Sequence, residues 1–331
     1  MRVLITGNLG YIGSVLSNEM KDQYEITGYD IGYFKDCILQ KQNNTFKQIN
    51  KDIYDINEAD LENIDAIVHL AALSNDPLGE FDKQNTHQTN YLATMKLANF
   101  AKGKKIKRFV YVSSTAMYGI SDTTKELNED KSEINPVTEY AKTKWLAEQE
   151  LTKLNSDNFT VVMLRPSTVF GASPRLRCDI VFNNLVACAY TSKKIEIKSD
   201  GSPWRPVIHI KDVCSAIIAC LKAPINIITG QAFNVGLMNG NYTVKQLALA
   251  AQKAVPGSSL IFTKENKDDP RTYKVSFDKI YKILGKYYKP RWTLEMGARE
   301  LIEFFTNIQF THEDFRGYKT NRLIALKKYL I

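Results

Sequence analysis

Apolar residues in the first half of the chain fall into short continuous runs, with helical spacing in the gaps between them. RVLIT (2–6), IDAIVHLAA (64–72), RFVYV (108–112) and FTVVMLRPSTVF (159–170) are such runs, rich in β-branched residues. YEITGYD (24–30) is a shorter one that ends in an acid. YIGSVLSNEMK (11–21), NYLATMKLANFAK (90–102) and TEYAKTKWLAEQELTKL (138–154) carry their apolar residues on one helical face. Strands that are apolar throughout are buried on both faces. Their alternation with helices predicts an α/β protein with a Rossmann-type, doubly wound parallel sheet.

After Gly171 the rhythm changes. ASPRLRCD (172–179) is a polar loop, and IVFNNLVACAY (180–190) reads as a helix. KKIEIKSDGSPWRPVIHI (193–210) reads as strand, turn, strand. DVCSAIIACLKA (212–223) and QAFNVG (231–236) are expected to return to the sheet, and residues 240–310 mix helix and strand. The last residues, THEDFRGYKTNRLIALKKYLI, form a basic tail with no role legible in the sequence.

TGNLGYIG places Gly7, Gly10 and Gly13 after the first strand and at the start of a helix. Glycines there permit a tight turn and close approach to a pyrophosphate, which the helix N-terminus attracts. Asp30 closes the second strand. A carboxylate there accepts hydrogen bonds from adenosine ribose hydroxyls and repels a 2′-phosphate, so NAD is expected rather than NADP. Asp52 and Ile53 hold the similar position after the third strand, where a side chain meets adenine.

YAKTK presents Tyr140 and Lys144 four residues apart on one helix face. A tyrosine with its ordinary pKa of about 10 is a poor base at neutral pH. A nearby ammonium stabilises the phenolate, and the pair then works as a general acid/base on a hydroxyl or ketone. VSSTAMYG (112–119) adds hydroxyls at a strand end and no acid, base or thiol.

Composition narrows the picture without changing it. The 331 residues, 44% apolar and 24% charged, suit a globular protein able to bury a sizeable core. The net charge of +8 raises nucleic-acid binding, but the cations are spread along the chain and no Arg/Lys run interleaves with aromatics. No nucleic-acid partner is expected. Five scattered cysteines lack zinc or redox spacing, which points to reduced thiols and no metal. Met1 runs directly into a strand, leaving no room for a signal peptide, and VCSAIIACL (213–221) is too short to span a bilayer. A cytoplasmic protein with no membrane partner is expected.

Together these motifs resemble the extended short-chain dehydrogenase/reductase family, in its NAD-dependent nucleotide-sugar epimerase/dehydratase group. The resemblance covers about residues 1–305. It is carried by TGNLGYIG, HLAA (69–72), Asn90 in NYLAT, VSSTAMYG, YAKTK, LRPSTVFG (164–171), RPVIHIKDV (205–213) and FNVG (233–236). It implies that residues 1–170 form the NAD-binding domain, with 205–235 returning to it. Residues 171–310 then form a smaller, discontinuous nucleotide-sugar domain, and 311–331 a tail. It implies catalytic roles for Ser114, Tyr140 and Lys144. NAD contacts would come from Gly7, Leu9, Gly10, Tyr11, Ile12, Gly13, Asp30, Asp52, Ile53, Leu70, Ala71, Ala72, Asn90, Ser113, Tyr140, Lys144 and Pro166. A nucleoside-diphosphate sugar would meet Ser114, Thr115, Ala116, Thr168, Asn184, Leu185, Arg205, Asp269 and Arg271. Two positions depart from the pattern: Asn266 stands where an arginine is common, and Pro206 where an acid is. A homodimer paired through helices near 88–102 and 138–154 is also implied.

The neighbours of Ser114 discriminate among reactions in this group. The related 4,6-dehydratases follow the hydroxyl residue with Asp-Glu, the decarboxylases keep a Glu, and some epimerase-reductases place a cysteine there. Here those positions are Thr115 and Ala116. What remains is hydride transfer with one acid/base, so C4 epimerisation through a 4-keto sugar leads. A reductase of a nucleotide-linked 4-keto-6-deoxy sugar is the runner-up. A non-catalytic cofactor-sensing or RNA-binding member is the third class, and such members generally lack the Tyr–Lys pair present here. Of the remaining polar residues, His69 and His209 are expected to be structural, with Asp212 the partner of His209, and Trp145 to lie at a subunit interface.

Overall fold

Short buried strands near the N-terminus begin the framework that the apolar runs predict. The computed structural model describes residues 1–43, 45–263 and 272–330. The first half runs β1 (Arg2–Thr6), α1 (Tyr11–Met20), β2 (Glu25–Tyr29), β3 (Lys47–Ile49), β4 (Ala66–His69), α2 (Asp76–Phe81), α3 (Lys83–His87), α4 (Ala93–Gly103), β5 (Arg108–Val112), α5 (Glu139–Leu154), β6 (Thr160–Pro166) and β7 (Thr168–Phe170). There follow α6 (Val181–Ser192), β8 (Lys194–Ile197), β9 (Trp204–His209), α7 (Ile210–Lys222), α8 (Ile225–Ile228), β10 (Ala232–Val235), β11 (Asn241–Thr243), α9 (Val244–Ala254) and β12 (Ser259–Phe262). The chain ends with α10 (Asp278–Leu284), α11 (Leu294–Asn307), α12 (His312–Arg316) and α13 (Arg322–Leu330).

Seven strands form one parallel sheet in the order β10-β6-β5-β4-β1-β2-β3. Successive residues point to opposite faces. Leu4, Ile67, Phe109 and Val161 pack on one side, and Val3, Ile5, Val68, Val110 and Val162 on the other. Each such side chain stabilises the fold by about 1.5–3 kcal/mol when fully buried. From β1 the chain winds outward to β3, then crosses back to β4 on the other side of β1. That reversal opens a crevice at the carboxyl ends of the strands, where α/β sheets bind ligands.

Two small sheets complete the framework: β11-β9-β7, and β12 beside β8. Residues 205–209, expected to rejoin the nucleotide-binding sheet, instead form β9 between β11 and β7. The return is made by β10, which pairs with β6, and by α7, which packs on α1. The basic tail folds as α12 and α13 and buries Phe315 and Leu326. No helix among the described residues is long and apolar enough to cross a membrane. All five cysteines are buried, free thiols.

Candidate active site

The crevice widens into a cavity of about 770 Å³. Its floor is the glycine turn. Gly7 has φ +72°, and a Cβ there would lie 2.7 Å from the Ala71 nitrogen, so the turn can press against the end of β4 only without a side chain. Gly10 caps α1 with no side chain of its own, leaving the first helical N–H groups open toward the cavity. Gly10, Tyr11, Ile12 and Gly13 line the cavity, as do Asp30, Asp52, Ile53, Leu70, Ala71 and Ala72. Asp30 accepts from the Leu9 N–H at 3.1 Å and from the Gly32 N–H at 2.7 Å. Burial raises its pKa above the ordinary carboxylate value against those bonds and the Arg175 charge.

Leu9, expected at the cofactor, is part-buried, donates its N–H to Asp30 and is not among the residues that line the cavity. Asn90, in a π-helical turn between α3 and α4, accepts from Leu73 N at 2.8 Å and donates to Leu73 O and Thr143 Oγ1. It shapes the wall from 1% exposure rather than facing the cavity. Asp269, Arg271 and the departure at Asn266 lie outside the described residues.

The far end of the cavity is built by β5, β6 and α5. Ser113, Ser114, Thr115, Ala116, Tyr140, Lys144, Pro166 and Thr168 all line it. Thr138 caps α5 by accepting from Ala141 N, and its own hydroxyl donates to Asp76 at 2.7 Å. This ties the start of α5 to α2. A Cβ on Gly79 would lie 2.9 Å from Tyr140 Cβ, so the bare glycine sets how deeply Tyr140 sits. Ser114 stands near enough to Tyr140 to draw its pKa down, and its hydroxyl accepts from Ala116 N at 3.1 Å. Thr115 Oγ1 is engaged with Pro166 O and Tyr273 OH, both at 3.3 Å.

Burial pushes Tyr140 up to about 12; the Ser114 hydroxyl draws it the other way. Burial also pulls Lys144 down to about 7, opposed by Glu148. Lys144 Nζ donates to the Val112 carbonyl at 2.8 Å and sits 4.7 Å above the Tyr111 ring. Arg177 adds a weaker downward pull on Tyr140, opposed by the Asp76 charge. His69 is neutral, its pKa lowered to about 3 by burial and the Lys144 charge, with Thr6 at 2.6 Å and Thr94 at 2.8 Å on its two nitrogens.

Asn184, Leu185 and Arg205 also line the cavity. Asn184 donates to the Cys178 carbonyl and Arg205 to the Trp204 carbonyl. The expected partner of His209 is corrected. Its Nδ1 accepts from Lys211 N, so Nε2–H donates to Glu300 at 2.7 Å, and its ring stacks on Trp292. Asp212 instead accepts from Arg291 N and Trp292 N. Trp145 lies beside Arg165, outside the cavity lining.

Sequence reasoning missed several lining residues: Ser74, Asp76, Arg177, Asp179, Tyr273 and Arg322. Arg177 is held by Asp179 through two bonds of 2.9 Å and donates to Ser74. The arginines of ASPRLRCD were the available signal, in a loop read only as polar.

The residues present fit a dinucleotide. The Ser113 and Ser167 hydroxyls line the cavity, are buried and have no partner among the described residues. Buried hydroxyls are normally bonded, so a ligand that reaches them is expected. With the open α1 terminus and the Asp30 carboxylate, donors and acceptors meet the phosphate and ribose groups of such a cofactor.

Fold and cavity together define a Rossmann-like α/β protein of the enzyme class that binds a dinucleotide at the carboxyl ends of its strands. The chain belongs to the NAD dependent epimerase/dehydratase family, whose sequence model matches residues 3–236. NAD is therefore its cofactor. The chain is 26% identical over 328 residues to the uncharacterized UDP-glucose epimerase YtcB of Bacillus subtilis, covering 93% of this chain and 99% of that protein. It is 24% identical to UDP-glucuronic acid decarboxylase 1 of Xenopus tropicalis over 92% of this chain and 72% of that one. Its fold is shared with UDP-glucuronic acid 4-epimerase from Bacillus cereus, solved with UDP-glucuronic acid and NAD (TM-score 0.78, 23% identity, 93% and 100% coverage). It is shared too with UDP-glucose 4-epimerase of Thermotoga maritima, solved with UDP-glucose (TM-score 0.81, 20% identity, 93% and 100% coverage).

Proposed function

We propose that this protein epimerises a nucleoside-diphosphate sugar at C4 through a transient 4-keto sugar. The observation that carries the reading is that Ser114 and Tyr140 line one cavity together, with a bonded threonine and an alanine at the two positions after Ser114. One acid/base is present beside Ser114, and no second acid, base or thiol follows it. NAD, when bound, supplies a reversible two-electron acceptor for the hydrogen on C4.

Tyr140 takes the proton of the 4-hydroxyl and later returns a proton to the same oxygen. Ser114 holds that oxygen by a hydrogen bond. Lys144, fixed on the Val112 carbonyl, directs its charge into the cofactor end of the cavity. Arg205 and Asn184 line the cavity where a diphosphate would be held. The cavity volume leaves room for the keto sugar to turn and present its other face.

The uridine diphosphate sugars in the names of the relatives make UDP-hexoses the first substrates to try. The test is incubation with UDP- and dTDP-hexoses without added cofactor, read by NMR of the C4 proton. Turnover confined to a 4-keto sugar with added NAD(P)H would replace the epimerase with a reductase. The division at residue 170, a cytoplasmic location and a homodimer belong to the same proposal. Buried reduced thiols suit the second, and Leu92, 41% exposed beside α4, suits the third. Sedimentation of the purified chain checks the dimer.

A further inference from the structure

The C-terminal segment, whose role is not legible in the sequence, reaches the site. Arg322, at the start of α13, is 2% exposed and lines the cavity. The segment is tied down on both sides of the crevice. Cys178 N donates to the Thr320 carbonyl at 2.8 Å, and Cys37 Sγ donates to the Tyr318 carbonyl at 3.4 Å. The Arg322 guanidinium donates to the Lys319 and Arg175 carbonyls at 2.9 and 2.6 Å and lies 5.3 Å over the Phe34 ring. Arg175 in turn donates to the Phe34 carbonyl at 2.6 Å. The tail therefore grips the loop that immediately follows Asp30.

Charge is unbalanced here. Three buried guanidiniums, of Arg175, Arg177 and Arg322, face two half-buried carboxylates, of Asp30 and Asp179. Asp179 is bonded by the Arg177 side chain and, at 3.4 Å, by the Arg322 N–H; its charge supports Arg322, but no carboxylate among the described residues forms a salt bridge with the Arg322 guanidinium. Burial, with the Arg177 and Arg175 charges, draws Arg322 down to about 10. A buried cation in that state is stabilised by an anion brought into reach. Arg205 and Lys198 line the cavity from β9 and the end of β8. Arg322 instead stands over the loop of the ribose carboxylate.

We propose that residues 311–330 are a clasp on the dinucleotide end of the cavity, with Arg322 supplying charge to the cofactor's diphosphate rather than to the substrate's. The inference rests on the reading of this end as the NAD site and is independent of which sugar reacts. Its consequence is a cofactor retained between turnovers, as a redox-neutral cycle requires.

The experiment titrates the full-length protein, stripped of nucleotide, with NAD and separately with UDP by calorimetry. Thermal melting is followed with and without NAD. Arg322→Gln is expected to weaken NAD by about tenfold or more, leave UDP unchanged and shrink the NAD-induced rise in melting temperature. Arg322→Lys is expected to recover much of the loss, which a purely structural role would not allow. Unchanged NAD affinity in Arg322→Gln, or a loss confined to UDP, overturns the proposal and leaves the cofactor reading standing. No NAD binding by the wild-type chain overturns both. If Arg322→Gln does not fold, Phe34→Leu removes the face under the guanidinium from outside the tail. Weaker NAD binding then supports the clasp, and unaltered binding refutes it.

Discussion

Two turns of one helix bury charge in opposite ways. At Glu148, α5 carries a carboxylate that is 2% exposed and fully answered. Arg165 donates to it from Nε and Nη2, at 3.1 and 2.7 Å, and from Nη1 to the Tyr118 hydroxyl, which donates to Asn234. At Lys144, one turn earlier, an ammonium that is 3% exposed has a single carbonyl and the face of a ring. The first arrangement is closed on itself and joins β6, α5 and β10. The second is left incomplete on the side that faces the cavity. Buried charge that is matched serves as scaffold. Buried charge left short of partners keeps a perturbed pKa and an appetite for a ligand, as catalytic groups do.

Four substitutions test that contrast, from the largest effect to the smallest. Tyr140→Phe removes the acid/base and is expected to lower kcat by about 10²–10⁴-fold while NAD binding, measured by calorimetry, is kept. Retained turnover would sink the assignment of Tyr140. Arg165→Met strips the matched pair of one partner and leaves Glu148 buried and alone. It is expected to cost about 3–5 kcal/mol in urea unfolding, with much of that recovered in the double variant Arg165→Met, Glu148→Leu. Equal stability in the single variant would mean the pair is no scaffold.

Gly79→Ala forces a methyl against Tyr140 and is expected to lower kcat by about 10- to 100-fold through misplacement of the phenol. The clash with the Tyr140 Cβ and backbone also lowers the melting temperature, and a loss that appears only in stability, with kcat kept, would contradict the positioning role. The gentlest test is Lys144→Met, read as stability against pH. The folded pKa of about 7 lies below the ordinary lysine value of 10.5. Between those values the unfolded chain holds a proton that the folded chain lacks, so wild-type stability rises with pH. The variant lacks that rise. It is expected to match or exceed the wild type in melting temperature at pH 7, with the gap narrowing toward pH 9.5, and to lose activity throughout.

Much of the site was legible because it is local. TGNLGYIG, Asp30 and YAKTK are each a strand end or a helix turn, and their geometry follows from the few residues around them. VSST was legible as hydroxyls at a strand end, and the cavity receives them. The misreadings share one physical cause. Asn90 carries a side chain suited to a ligand, yet the π-helical turn directs it onto the Leu73 backbone. His209 sits three residues from Asp212 and finds Glu300 instead, 91 residues away. A side chain's partner is chosen by packing, and sequence spacing lists only the nearest candidates.

The sequence by itself determined the parallel sheet, the glycine turn after the first strand, the acid that closes the second strand and the pairing of Tyr140 with Lys144 on one helix face. Apolar periodicity and glycine placement act over a few residues, where local sterics leave little choice. Tertiary structure alone decided that Arg177 lines the same cavity as Tyr140, that Gly79 packs against the Tyr140 Cβ, and that Arg322 of the basic tail reaches the cavity. Arg322 meets Arg175 across 147 residues of chain. Contacts of that length exist only after the core has formed, because the surface buried in forming it offsets the entropy of bringing such distant segments together.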